Sequence, residues 1–189
     1  MANLILNGST SGSVTLSSPA VSGTTTLTLP TISGTVLTSG TNTNFPAGSV
    51  LQVVSYTLTT AGTISSGSYQ DIGLSTSITP SSTSSKILVL VNAFIGATHS
   101  ALAKLQRNSS DIINGTTSGT NQITGGGIYL ASGNAYSSSI SYLDSPSSTS
   151  SLTYRVVYYT DTGTIGYNRR TSDTFAIATS TITLMEIKG

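Results

Sequence analysis

The chain has 189 residues and a formal charge of +1, and only 7% of its residues are charged, against roughly 25% in a typical soluble domain. That leaves no electrostatic footprint for nucleic acid or an anionic membrane, while 37% hydrophobic residues suffice for one ordinary domain plus a short appendage. The absence of cysteine excludes disulfides, zinc–thiolate centres and thiol nucleophiles.

In chain order, the opening MANLILNGSTSG lacks a basic start and a long apolar run, so no signal peptide is expected. Residues 11–40 then repeat one phrase: SGSVTLSSPAV, SGTTTLTLPTI and SGTVLTSG begin at Ser11, Ser22 and Ser33. Val14, Leu16, Val21, Leu27, Leu29, Ile32, Val36 and Leu37 fall at regular places in this repeat, which a linker does not require. The pairs Val14/Leu16 and Leu27/Leu29 are spaced for one face of a strand, with Ser-Gly steps as turns and Pro19 and Pro30 near strand ends. Every Asp, Glu, Lys and Arg of the chain lies at or after Asp71. Strands this short bury little alone, and repeats gain stability by stacking on neighbours. Residues 1–45 are therefore expected to form an N-terminal β-repeat arm used for assembly and anchoring, with those eight apolar residues as its contacts.

Residues 41–48, TNTNFPAG, are dense in turn formers and mark a boundary. Residues 46–189 carry longer apolar strands. SVLQVVSYTLTT (49–60) alternates in its second half, with Val54, Tyr56 and Leu58 on one face. KILVLVNAFIGA (86–97) reads as a central strand buried on both sides. ALAKLQRN (101–108) sets Leu102, Lys104 and Gln106 against Ala101, Ala103, Leu105 and Arg107. Further strands are expected at GGIYLAS (126–132), AYSSSISYLD (135–144), SLTYRVVYYT (151–160), DTFAIATS (173–180) and STITLMEIKG (180–189). No window has a helical apolar period. The chain should be all-β: a short β-stranded arm followed by an antiparallel β-sandwich, with a strand number and spacing that suit a jelly roll.

Candidate chemistry is sparse. Asp161-Thr162-Gly163 matches the aspartic-protease triplet, but Tyr158-Tyr159-Thr160 precedes it where aliphatic residues are required, so it reads as a turn. His99 is the single histidine, and Asp71, Asp111, Asp144, Asp161, Asp173 and Glu186 are spread one per segment. No catalytic, cofactor or metal site is expected, save that three copies of His99 could meet on a trimer axis. Gly125-Gly126-Gly127 lacks the lysine and helix of a phosphate loop and reads as a hinge or hairpin. Arg169-Arg170 suits a solvated loop or a salt bridge across an interface, and about half of Tyr136, Tyr142, Tyr154, Tyr158 and Tyr159 should be core.

GSTSGSVTLSSPAVSGTTTLTLPTISGTVLTS resembles the opening segment of many virion proteins of tailed bacteriophages, often labelled tail fibre. SYQDIGLSTSITPSSTSSKILVLVNAFIGA and STITLMEIKG resemble the C-terminal domain that accompanies it, a trimeric jelly roll of the tumour-necrosis-factor and complement globular-head type. The resemblance implies a homotrimer, made in the host cytoplasm and located in the virion, with neither cofactor nor enzymatic activity. Its partner would be the major capsid protein, if the chain is a cement or decoration protein. Alternatively it is a short tail fibre that contacts a tail or baseplate protein and a host surface receptor. A forty-residue arm spans at most ~140 Å when extended, and no long shaft is evident, which favours the capsid. Nucleic acid and membrane are not expected partners.

Overall fold

A computed structural model describes residues 4–7, 9–17, 23, 24, 26, 31, 33, 45–65, 67–113, 115, 126–129, 133–173, 175 and 177–189. The chain divides into two units, Met1–Leu37 and Thr38–Gly189. Every regular element among the described residues is a strand.

In the first unit, β1 (Leu4–Asn7) and β2 (Ser13–Leu16) pair antiparallel, with Leu4 opposite Leu16 and Asn7 opposite Ser13. β1 went unread in the sequence because four residues show almost no period. An isolated two-stranded ribbon is marginal in water.

The second unit is an antiparallel β-sandwich. One sheet holds β3 (Val50–Leu58), β13 (Ser180–Ile187), β6 (Lys86–Ala97) and β10 (Ala135–Asp144) side by side. β12 (Thr164–Tyr167) continues beside the far end of β6, with β4 (Gly62–Ser65) outside it. The other sheet runs β5 (Gln70–Ile78), β11 (Leu152–Tyr159) and β7 (Ser100–Arg107), and β7 pairs on its far side with β8 (Ser110–Asp111) and β9 (Gly126–Tyr129). Taken in chain order, β3, β5, β6, β7, β9, β10, β11 and β13 are eight principal strands. The β6 sheet reads first-eighth-third-sixth and the β11 sheet second-seventh-fourth-fifth. This is the jelly-roll order, two Greek keys folded face to face.

Alternation builds the core. From the β6 sheet, Ile87, Val89, Val91, Ala93 and Ile95 point inward with Ile182 and Leu184; from the β11 sheet come Ile72, Leu74, Ala101, Ala103, Leu105, Tyr154, Val156 and Tyr158. The alanines of β7 lie among larger side chains from β6 and β11, the large-and-small mixture that lets facing layers interdigitate. Tyr154 and Tyr158 are buried, Tyr142 and Tyr159 half-buried and Tyr136 exposed.

Three expectations need correction. β6 is central but is closed on one face only: Leu88, Leu90 and Phe94 on its other face are half-buried and Asn92 is exposed. Among the described residues of 173–180 only Ser180 belongs to a strand, as the start of β13, and Ile177 makes one isolated bridge to Arg169. Phe175 and Ile177 mimic period-two alternation, but of the two only Ile177 pairs, and with a single residue. Gly126 and Gly127 are strand residues opposite Ala103 and Leu102, not a hinge. Gly125 lies outside the described residues. The sequence reading also passed over β5, β4 and β12, whose Gly73 and Gly166 and many Ser/Thr residues dilute the apolar period.

Candidate functional site

Assembly surfaces are the features that stand out. Of the eight arm residues singled out in the sequence, Val14 lies on β2 with its side chain 62% exposed, and Leu16 ends β2 opposite Leu4. Val21, Leu27, Leu29, Ile32, Val36 and Leu37 lie outside the described residues. Leu6 faces Val14 across the ribbon, and both are exposed, as is Ile5. The ribbon thus presents apolar side chains that its own two strands leave open.

In the sandwich, the exposed large apolar residues are Val50, Val53 and Tyr56 on β3, Tyr136 and Leu143 on β10, and Phe175 and Ile177 between β12 and β13. β3 and β10 are the edge strands of the β6 sheet. Long uncharged edges are usually blunted by charge, proline or bulges, because they recruit other strands. Register joins them on the outer face: Val53 lies opposite Met185, Met185 opposite Leu88, and Leu88 opposite Leu143. One apolar row therefore crosses all four strands. Beside it run Ser55, Thr183, Leu90 and Ser141, then Thr57, Thr181, Asn92 and Ser139. The face carries no charge between Lys86, at the start of β6, and the segment after β12.

The outer face of the β11 sheet is the opposite. Arg155 donates to Gln106 Oε1 at 2.9 Å and to Asp71 Oδ2 at 3.2 Å. Lys104 Nζ meets Asp111 Oδ2 at 2.7 Å and sits 4.3 Å over the Tyr69 ring, which packs on Tyr159. Its edge strand β5 is kinked at Gly73 (φ +83°), whose N–H is held by Asp71 Oδ1 at 2.7 Å. These are features of a surface built for water.

Two carboxylates lie inside. On the inner face at one end of the β6 sheet, Gln52, Glu186, Ile87 and Asp144 stand in register. Glu186 is fully buried; its Oε1 accepts from Ser81 N–H, Ser81 Oγ and Ser85 Oγ, each at 2.7 Å, and its Oε2 accepts from Gln52 Nε2 at 2.6 Å. Burial opposes its charge, but these donors outweigh it and hold the carboxyl below the usual range. Asp144 Oδ2 accepts from Arg107 Nη1 and from the Tyr154 hydroxyl, both at 2.6 Å, and so ties β10 to the opposite sheet. Burial and the adjacent Asp144 charge push the Tyr154 phenol well above its ordinary value. Burial also raises Tyr158, to about 12, with Ser138 pulling the other way. Each carboxylate locks the sandwich, and the donors around it come from this chain. Glu186 was within reach of the sequence, since STITLME places it on the Ile182/Leu184 face.

The Asp161-Thr162-Gly163 triplet forms the turn between β11 and β12. Folding brings His99 to it: Asp161 Oδ1 accepts from Ser100 Oγ at 2.6 Å and lies 2.9 Å from His99 Nδ1. Ser100, then His99, holds this exposed carboxyl down at about 2. The pair ties two turns together, and Ser100 points at the carboxylate, not at the imidazole as a nucleophile must. No cluster of three or more His, Asp or Glu suited to a metal occurs among the described residues.

Compared with known proteins, the sequence matches no family model and no curated protein.

Proposed function

We propose that this chain is a structural protein of a tailed-bacteriophage virion, a homotrimeric capsid cement or decoration protein. Its N-terminal arm binds the major capsid protein and its jelly roll forms a knob on the shell, with the β6-sheet faces turned toward one another in the trimer. The observation that carries this reading is the distribution of exposed apolar residues. In the described residues they are confined to the β1–β2 ribbon, the edges and outer face of the β6 sheet, and one loop, whereas the β11 sheet is charged. Burying such surface against other chains is favourable at roughly 25 cal/mol per Å². The sequence resemblance to phage virion proteins supplies the setting, and the jelly-roll order agrees with the trimeric domain that it implies.

The work is mechanical. Apolar and main-chain contacts hold the particle, so association should persist from low to high salt; its loss at high salt would contradict the reading. Quantitative mass spectrometry of purified particles tests the location. Hundreds of copies, in fixed ratio to the major capsid protein, are expected, while a few to a few dozen would place the chain on the tail as a short receptor-binding fibre. Removing residues 1–45 should leave a folded trimer that no longer joins the particle, and a monomeric or unfolded product would contradict the two-part design.

A further inference from the structure

The chain comes into the sandwich through residues 45–49, and Lys188, just past β13, holds that entry. Gly48 N–H donates to the Lys188 carbonyl and Lys188 N–H to the Ser49 carbonyl, both at 2.8 Å, while Lys188 Nζ reaches the Phe45 carbonyl. Behind this short ladder the pairing slips. Ile187 lies opposite Val50 but Glu186 opposite Gln52, so Leu51 is left over and the ladder is locally disrupted.

The Glu186 carboxylate spans the slip with side-chain bonds. Gln52 Nε2 donates to Glu186 Oε2 at 2.6 Å and to the Thr79 carbonyl at 2.7 Å, which uses both of its hydrogens. Glu186 Oε1 accepts from Ser81 N–H, Ser81 Oγ and Ser85 Oγ, which fixes the loop between β5 and β6. The backbone beyond Lys188 lies directly against that loop, since a Cβ on Gly189 would come within 2.0 Å of the Ser84 carbonyl oxygen. One buried carboxylate thus joins β13, β3 and the β5–β6 loop where the chain enters.

Every partner of this carboxylate donates to it. A carboxylic acid would bring a proton that the cage cannot accept. The Ser81 N–H and Gln52 Nε2 are donors only, and a serine hydroxyl turned to accept would give up its own bond. Gln52 could turn its amide over only by surrendering Thr79. Few other charges share this end. Lys86 pairs in register with Ile187, and Asp144 stands on the far side of Ile87, held by Arg107 and Tyr154. Residues 49–55 and 72–85 contain no ionisable side chain.

We propose that Glu186 is an acid-released latch on the entry of the chain: protonation frees Gln52 and the β5–β6 loop, and the ladder at residues 45–49 opens while the two sheets stay folded. The opening is local because the bonds lost are gathered at the register slip, whereas Thr181 to Met185 stay paired on both sides. It does not rest on what the N-terminal arm binds. For an arm that anchors the chain, it loosens the point from which the arm departs. Released, the carboxyl regains its ordinary value, so opening becomes easier as pH falls below about 4.3.

Hydrogen exchange of the full-length chain tests this, read as protection factors that divide out the pH dependence of free-peptide exchange. Between pH 7 and about pH 3.5, protection at Gly48, Ser81 and Lys188 should fall at least ~10-fold while Val89, Val91, Leu105 and Val156 keep theirs. Glu186→Gln puts a donor where the cage needs an acceptor, so it should show the open pattern at pH 7 and no further change in acid. Asp144→Asn should leave the acid response at Gly48 and Lys188 as in the wild type; a response that vanishes there would assign the opening to that carboxylate instead. Loss at Ser81 alone, with Gly48 and Lys188 still protected, would overturn the latch and leave Glu186 as a pin for its loop. Protection lost evenly across both sheets would overturn it as well, since acid would then unfold the sandwich as a whole. If Glu186→Gln does not fold, the wild-type titration decides by itself.

Discussion

The outer faces of the two sheets differ in charge. Apart from Arg107, which reaches inward to Asp144, the β11 sheet keeps aliphatic and aromatic residues inside and sets Asp71, Lys104, Asp111 and Arg155 on its outer face in one hydrogen-bonded stripe. The β6 sheet keeps Glu186 and Asp144 inside and leaves Val53, Leu143, Met185 and Leu88 outside. Both close the same core, so core packing does not explain the difference. On the proposed function, what differs is the medium that each outer face is made to meet: water for one, another protein surface for the other.

The largest effect expected from breaking this contrast is inside. Glu186→Ala removes the acceptor of four hydrogen bonds, and buried donors left unpaired cost 1–3 kcal/mol each. A loss of about 3–4 kcal/mol in urea-denaturation stability is expected, and a loss below about 1 kcal/mol would mean that water replaces the carboxylate. Next comes the outer face of the β6 sheet, where Met185→Asp should weaken self-association by about 100-fold, roughly 2.7 kcal/mol, in sedimentation equilibrium. Arg155→Ala on the other sheet should leave association unchanged.

A smaller effect follows acid. Glu186 is held below its ordinary value, so its contribution is fully present above the unfolded-state value near ~4.3 and is lost as pH falls through the lower folded value. Stability should therefore fall below about pH 4.5, and Glu186→Gln should flatten that slope; an unchanged slope would assign acid sensitivity to other carboxylates. The smallest effect is expected at Asp71→Ala, a half-exposed ion pair, within about 1 kcal/mol of the wild type in thermal melts.

Much of the sandwich was legible because alternation is a local signal. AYSSSISYLD coincides with β10, and the two faces of ALAKLQRN are those of β7. What the sequence hid depends on register. Val53, Leu88, Leu143 and Met185 lie on four different strands, and only cross-strand pairing makes a row of them. His99 and Asp161, 62 residues apart, meet because two turns fall at one end of the sandwich. Phe175 and Ile177 misled because apolar alternation signals a strand only where a neighbouring strand exists to pair with it. The arm residues Val14 and Leu16 were visible from the eleven-residue repeat, whereas β1, which completes their ribbon, carries too short a pattern to read.

Hydroxyl-radical footprinting of the full-length chain tests the central claim most directly, since it reads both outer faces in one sample. The account predicts that Met185 and Leu143 are modified far less than their exposure on a single chain implies, while Tyr69 and Tyr159 on the charged sheet are modified in proportion to theirs. Modification of both sets in proportion to single-chain exposure would mean that the β6 sheet faces water after all, and the division between the two sheets would carry no assembly.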